Sequence, residues 1–574
     1  MARNRGVLLS VLLVVLVSCA APPRGAGVPD AGVGAVPVAP ALPTGPQRIS
    51  IGITAEPTSL YYPLIPAPVR AVPGSIQELV SPGLVLFDNF GALRPLLVEA
   101  VPSIENGLWR VLPDGRMETT WRIKPEARWQ DGTPLTSEDL SFTLAVSMDR
   151  ELAVFGHKYY GLIEGVETPD SRTVTVRWKQ PLIQADWLFT YTAGLPMPKH
   201  LLERAYTDSK ATFADLPFWS QDFVGHGPFK LKEWARGSHL ILTASDQFVL
   251  GRPKLDEIEV RFIGDSNTLI SNVLAGSVDL VMRQALSADQ ALQMREQWRD
   301  GKVGIAADGW VVIYPQFVNA NPAVVLNVDF RRALLLALDR QQLADTLMAG
   351  LTPVADSVLN PDTQEYKDTV GSIVRYPYDP QRAARLIEGL GYTKGPDGGF
   401  RDAAGQRLSF ETRATTQRDI HVKTMLPVVD YWKTLGLNVD TQVIPAQRAT
   451  DREEQATFPA FQVLRQPAGL ERMIALHSSE ARLPERNFTG SNNGRYSNAE
   501  LDTAIDRYLT TIPRAARNQA IGQAVHHFTD QLPVLGLFYD ATPSLTHNRL
   551  QGVTPLTGSE DGRQAWNSYE WFVR

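Results

Sequence analysis

The chain has 574 residues, a formal net charge of −6, 44% hydrophobic and 21% charged residues, and one cysteine. A mild acidic balance without blocks of like charge argues against nucleic acid as a partner, because phosphate binding needs a basic surface. The length exceeds one ordinary core and implies more than one domain, and beyond the N-terminal run no apolar stretch is long enough to span a bilayer.

Arg3 and Arg5 precede an apolar run from Val7 to Val17, broken only by Ser10, and then L-V-S-C ending at Cys19. As a helix that run would be about 17 Å long at ~1.5 Å per residue, too short for the ~30 Å hydrocarbon core. A basic n-region, a short h-region and a cysteine directly after a small residue resemble a bacterial lipoprotein signal peptide with its lipobox. The expectation is a leader over 1–18 and lipidation of Cys19. That modification uses the one thiol, so the fold carries no disulfide. Residues 20–46 are almost all Ala, Pro, Gly and Val, without helix or strand period, and read as a tether.

The folded body begins near Gln47. Arg48–Thr54 alternates as a half-buried strand does, as do Met117–Ile123 and Thr173–Trp178. Trp129–Pro134 is a turn with Asp-Gly punctuation. Thr136, followed at its third position by Asp139, approximates a capping box for the next helix. Phe223–Trp234 reads as a Gly-punctuated turn into a strand, Leu255–Ile263 as a strand and Asn267–Leu274 as a short helix. Asp329 is expected to cap one long helix stopped by Gly350. Asp379 and Pro380 open another that ends at Gly391, and Ser497 with Glu500 forms a third helix start. Strands and helices are interspersed, so the class is α/β.

Motifs of covalent chemistry are missing. No H-E-x-x-H, G-x-S-x-G or Walker loop occurs, and Gly225-His226-Gly227 runs into Pro228 rather than a helix. Adjacent His526 and His527 cannot share a helix face, so no metal pair is expected there. No cofactor is implied and no catalytic residue is assigned. Carboxylate-based glycosidases need no local signature, so a secreted cleft-type hydrolase stays open as an alternative.

Several segments together resemble one family, the bacterial extracellular solute-binding proteins of family 5, which serve peptide and nickel ABC importers. Trp121–Thr143 (W-R-I-K-P-E-A-R-W-Q-D-G-T-P-L-T-S-E-D-L-S-F-T) is similar to the family signature. Val224–Trp234 (V-G-H-G-P-F-K-L-K-E-W), Asp329–Leu343, Tyr378–Tyr392 and Gly494–Asp502 (G-R-Y-S-N-A-E-L-D) follow in family order. The resemblance implies a two-lobed, periplasmic-binding-protein-like Venus-flytrap fold (type II, cluster C) with an extra small domain in lobe I. Lobe I would span 47–308, with the small domain inserted at about 86–222. Lobe II would span 309–536, and 537–574 would return to lobe I. The chain would cross between lobes near Ala306–Tyr314 and Val534–Tyr539. It further implies a monomeric, non-enzymatic receptor outside the cytoplasmic membrane. That receptor would hold a peptide-like or other small organic ligand and deliver it to an ABC permease. A sensory lipoprotein on the same fold is a further alternative.

Candidate ligand contacts are Trp310 and Tyr314 near the first crossing, and Arg465, Gln466, Glu471 and Arg472 in the segment from 465 to 472. In peptide-binding members of the family an Asp before a Pro in this segment pairs with the ligand's α-ammonium. Here Gln466 precedes Pro467. A neutral amide supplies no opposite charge. Ordinary free-amine peptides are therefore expected to bind weakly, unless Glu471 rescues the contact; Arg465 and Arg472 would suit a carboxylate.

Overall fold

Ten strands form one sheet, and its two longest members lie near its middle. In this computed structural model, which describes residues 45–65, 73–283, 285–448, 451–559 and 562–574, Gly301–Pro315 and Leu535–His547 pair antiparallel along most of their length. On one side of this pair lie Phe461–Pro467, Ser409–Thr415 and Asn438–Ile444. On the other lie Leu280–Val281, Arg48–Ile53, Glu257–Phe262, His239–Ala244 and Phe229–Ala235. A separate four-stranded sheet contains Trp109–Val111, Met117–Arg122, Ile163–Asp170 and Thr173–Trp178. The expected leader, Cys19 and nearly all of the tether lie outside the described residues. Among the described residues no helix is long and apolar enough to cross a membrane.

The strand at Arg48–Ile53 departs from its expected half-burial: all its residues after Arg48 are buried. It is parallel to Glu257–Phe262 and Leu280–Val281, and parallel strands are commonly covered on both faces. Its second face is made of small residues. A Cβ on Gly52 would stand 2.3 Å from Leu269 of the Ser266–Leu274 helix, and the Ser50 amide donates to Asp279 at 2.9 Å.

Trp129–Pro134 and Val224–Trp234 explain one another. The Gln130 side chain accepts from the Gly225 amide at 3.0 Å and donates to the Phe229 carbonyl at 2.8 Å. Trp129 is buried and meets the His226 ring edge-on at 5.5 Å. The Gly83 amide donates to His226 Nε2 at 2.9 Å, so the neutral ring carries its proton on Nδ1. Gly225 and Gly227 are required by close approach: a Cβ on either would lie within 2.6 Å of the Val80 backbone.

Helix signals hold with two shifts. Thr136 and Asp139 form the expected capping box for Ser137–Met148, and Asp379 caps Pro380–Gly389. The single helix expected after Asp329 is two helices, Val328–Leu336 capped by Asn327 and Arg340–Leu347 capped by Asp339. The break lets Arg340 turn inward, where it donates to the Tyr376 carbonyl at 2.9 Å and Asp356 at 2.8 Å. Asn498, not Ser497, caps Ala499–Thr510, accepting from the Glu500 and Leu501 amides.

The candidate ligand cleft

A cavity of about 340 Å³ lies where the central strand pair meets both flanks of the sheet. Its walls come from at least six stretches of chain, one of them at His157 and Tyr159. Tyr62 and Glu78 approach from the N-terminal part, and Trp187 and Tyr191 from the region before the Lys199–Asp208 helix. Arg283 follows the Leu280–Val281 strand, Asp308 lies within the central strand Gly301–Pro315, Arg465 and Glu471 come from the Phe461–Pro467 side, and Arg563 from the C-terminal part. A larger cavity of about 1770 Å³ shares Trp187 and Glu471 with it and is lined also by Asp186, Asp368, Arg514 and Arg517.

The charges at the centre form a linked set. Asp308 sits where the central pairing slips register, between Ala306 and Gly309. Arg465 donates to Asp308 at 2.8 Å and to Asp540 at 2.9 Å, and its side chain is only 4% exposed. Arg283 stands 3.4 Å from Asp308 and donates to the Gly562 carbonyl at 2.8 Å; Thr542 also donates to Asp308. Burial alone would push the Asp308 carboxyl up, but the Arg465 and Arg283 charges outweigh it and hold it below its ordinary value. Gly309 is needed here for space, since a Cβ would lie 2.2 Å from the Arg465 guanidinium.

Strand alternation sorts the residues singled out in the sequence. Arg465 and Pro467 share the cavity face, and Gln466, between them, does not line either cavity. Glu471 lines both. Trp310, opposite Gln466, is 2% exposed and packs beside the Phe528 ring at 5.9 Å. Tyr314 is likewise in the core on that face, and burial raises its hydroxyl pKa. Arg472 is half-buried near Tyr314 and Arg482, whose ionisation its charge affects. So the expected contacts divide: Arg465 and Glu471 reach the cleft, whereas Trp310, Tyr314, Gln466 and Arg472 line neither cavity. The division follows from strand period: Trp310 and Tyr314 have the same parity and face away from Arg465.

Sequence reading missed Glu78, Asp186, Arg283, Asp308 and Arg563. One signal was available. Glu78 lies within I-Q-E-L-V, next to Gln77 and flanked by Ile76, Leu79 and Val80, and an acid buried at such a position is costly unless it has a partner or a task. Among the described residues no cluster of three potential metal ligands occurs.

Residues 99–473 match the family model for "Bacterial extracellular solute-binding proteins, family 5 Middle". The chain belongs to that family. This family 5 protein is 27% identical over 316 residues to a Brucella ovis protein described as an ABC transporter peptide-binding protein, covering 54% of each. The chain thus spans about half the length of the first curated relatives it matches. It is 23% identical over 473 residues to the oligopeptide-binding protein AppA of Bacillus subtilis, covering 80% of this chain and 81% of that one. The fold is similar to that of NikZ from Campylobacter jejuni, solved in complex with Ni(L-His), with a TM-score of 0.71 and 20% identity over 92% of this chain and 99% of that chain. The architecture is the two-lobed periplasmic-binding-protein fold.

Proposed function

We propose that this family 5 protein is an extracytoplasmic receptor that closes two lobes on a small organic or peptide-like ligand and delivers it to an ABC permease. On this reading the lobes divide near Asp308 and Gly536, and the lipid on Cys19 holds the receptor at the membrane. The observation that carries the proposal is the charged cavity whose walls come from both sides of the central strand pair. A ligand filling such a space touches both lobes at once, so its binding energy favours the closed state over the open one. Family membership supports binding rather than turnover.

The reading predicts ligand-driven closure. A ligand present at about 100 times its Kd is expected to stabilise the chain by ~2.7 kcal/mol through linkage. X-ray scattering should show a smaller radius of gyration at the same concentration. Native mass spectrometry of freshly purified protein would supply the ligand. If the radius stays unchanged at saturation, or a product accumulates at catalytic protein concentration, the receptor reading fails and the hydrolase alternative takes its place.

Anchoring is tested separately. Two or more acyl chains give stable membrane attachment where one binds only marginally. Wild type is expected in the detergent phase of a phase-separation extract, and Cys19→Ser in the aqueous phase. Aqueous partitioning of wild type would remove the anchor from the proposal.

A further inference from the structure

Ile183 packs apart from its own neighbours. Leu182 and Ala185 are buried in the cluster built on the four-stranded sheet, with Trp109 and Trp178. Ile183 is 9% exposed and lies in a different cluster, with Leu359, Ile505 and Tyr508. Every other buried member of that second cluster among the described residues lies between Trp310 and Tyr539. The Ile183 amide makes the same crossing and donates to the Leu509 carbonyl at 3.0 Å. From the other side Ile512 packs against both clusters. Both isoleucines line the larger cavity.

The Leu509 carbonyl is open to such a donor for a local reason. Leu509 is the next-to-last residue of the Ala499–Thr510 helix, and the last four carbonyls of a helix have no partner within it. The residue that would donate to Leu509 in a continued helix is Pro513, which has no N–H. The Ile183 amide therefore closes this helix end from a distant part of the chain. On the receptor reading, 86–222 and 309–536 belong to opposite lobes, so this contact exists only while the lobes are together. Opening hands the carbonyl to water at little net loss, but it also exposes the Ile183 side chain, which is the larger cost.

We propose that Ile183 and the C-terminal end of the Ala499–Thr510 helix form a clasp beside the larger cavity, made on closure and broken on opening, which sets how much of the ligand-free receptor is closed. The inference rests on the receptor reading and deepens it. Apparent affinity for any ligand of the closed form scales with the closed fraction, so the clasp tunes affinity without touching the ligand. A permanent join between two packed bodies would show the same contacts, and the experiment separates the two.

The test uses the full mature chain carrying Cys19→Ser, which removes the one native thiol. The chain is stripped of small molecules by unfolding and refolding, with native mass spectrometry as the check. Residues joined by a backbone hydrogen bond stand near the ~5.5 Å Cα separation that a disulfide prefers. Ile183→Cys with Leu509→Cys is expected to cross-link under mild oxidant, and X-ray scattering of the oxidised pair then gives the closed radius of gyration. Ile183→Asn is expected to lower the closed-to-open ratio at least tenfold, the effect of losing one buried apolar side chain. Its radius should exceed those of the oxidised pair and of stripped wild type. An Ile183→Asn chain with the radius of stripped wild type overturns the clasp, as does a cysteine pair that stays reduced under oxidant. If wild type as purified is then still more compact than stripped wild type, the receptor reading survives alone. One radius in every state overturns both. Should Ile183→Asn melt more than a few degrees below wild type, Ile183→Ala takes its place, with a smaller expansion expected and an unchanged radius again fatal.

Discussion

Arg465→Met is expected to destabilise the protein by about 3–5 kcal/mol, the range for breaking a buried charge network by removing one partner. The substitution keeps much of the side-chain volume, so the loss is electrostatic. It strands Asp308, 4% exposed, with Arg283 at 3.4 Å and Thr542 as remaining partners, and it leaves Asp540 without its 2.9 Å donor. Urea unfolding of wild type and variant measures the difference. Adding Asp308→Asn and Asp540→Asn to the Met variant should recover much of the loss, because the orphaned charges are then gone. A loss below ~1 kcal/mol would show that water reaches the network and that it is softer than its burial implies.

Asp186→Asn is expected to act in the opposite direction and to depend on pH. Asp186 is half-buried as a residue, yet its Oδ1 is shielded and accepts no hydrogen bond. Burial pushes its carboxyl up to about 7, against the lowering charge of Arg517. A carboxyl whose folded pKa exceeds its unfolded value of about 3.9 is most favourable below pH ~4, and that contribution is lost as pH rises through about 7. At pH 8 the ionised group is a liability that Asn lacks. The gain on substitution is therefore on the order of 2–4 kcal/mol at pH 8, fading towards zero near pH 4.

His226 has the opposite linkage in an overlapping window. Burial lowers its pKa to about 3, so its contribution is whole above pH ~6.5 and is lost as pH falls towards 3. The two terms offset one another in wild type. Removing Asp186 should uncover the histidine slope, with the variant losing stability on acidification more steeply than the parent. A difference between the two proteins that does not change between pH 4 and 8 would sink this account.

What could be read from the sequence was local. The strand at Thr173–Trp178 and the capping box at Thr136 depend on neighbours a few residues away, and both are where periodicity and cap chemistry place them. The join between the two helices at Ala337–Asp339 was not visible, because Arg340 is drawn inward by Asp356 and by carbonyls far along the chain. The candidate site suffered most. Its walls come from segments near residues 62–78, 157–159, 187–192, 282–308, 465–471 and 562–564, and no local pattern says that these meet. Crossing strands near 306–314 and 534–539 follow from the resemblance, yet which side chains face the cleft depends on parity within the sheet. The aromatics at 310 and 314 have the parity of Gln466, opposite to that of Arg465.

The shared central strands also constrain how such a receptor can signal. Ladder hydrogen bonds tie Gly301–Ala306 to Thr542–His547, and Gly309–Ile313 to Leu535–Asp540, with slips only between Ala306 and Gly309 and between Val311 and Val312. Sliding one half past the other would rupture a whole row of those bonds together, and a one-residue slip would turn every side chain to the wrong face. Bending at the slip disturbs few of them. On the proposed receptor reading, motion would thereby be reduced to nearly a single degree of freedom, an angle, pivoting on the residue that Arg465 and Arg283 both hold. On that reading a membrane partner docked across both outer faces would read how far the angle has travelled, and ligands of different size would be reported to it on one common scale.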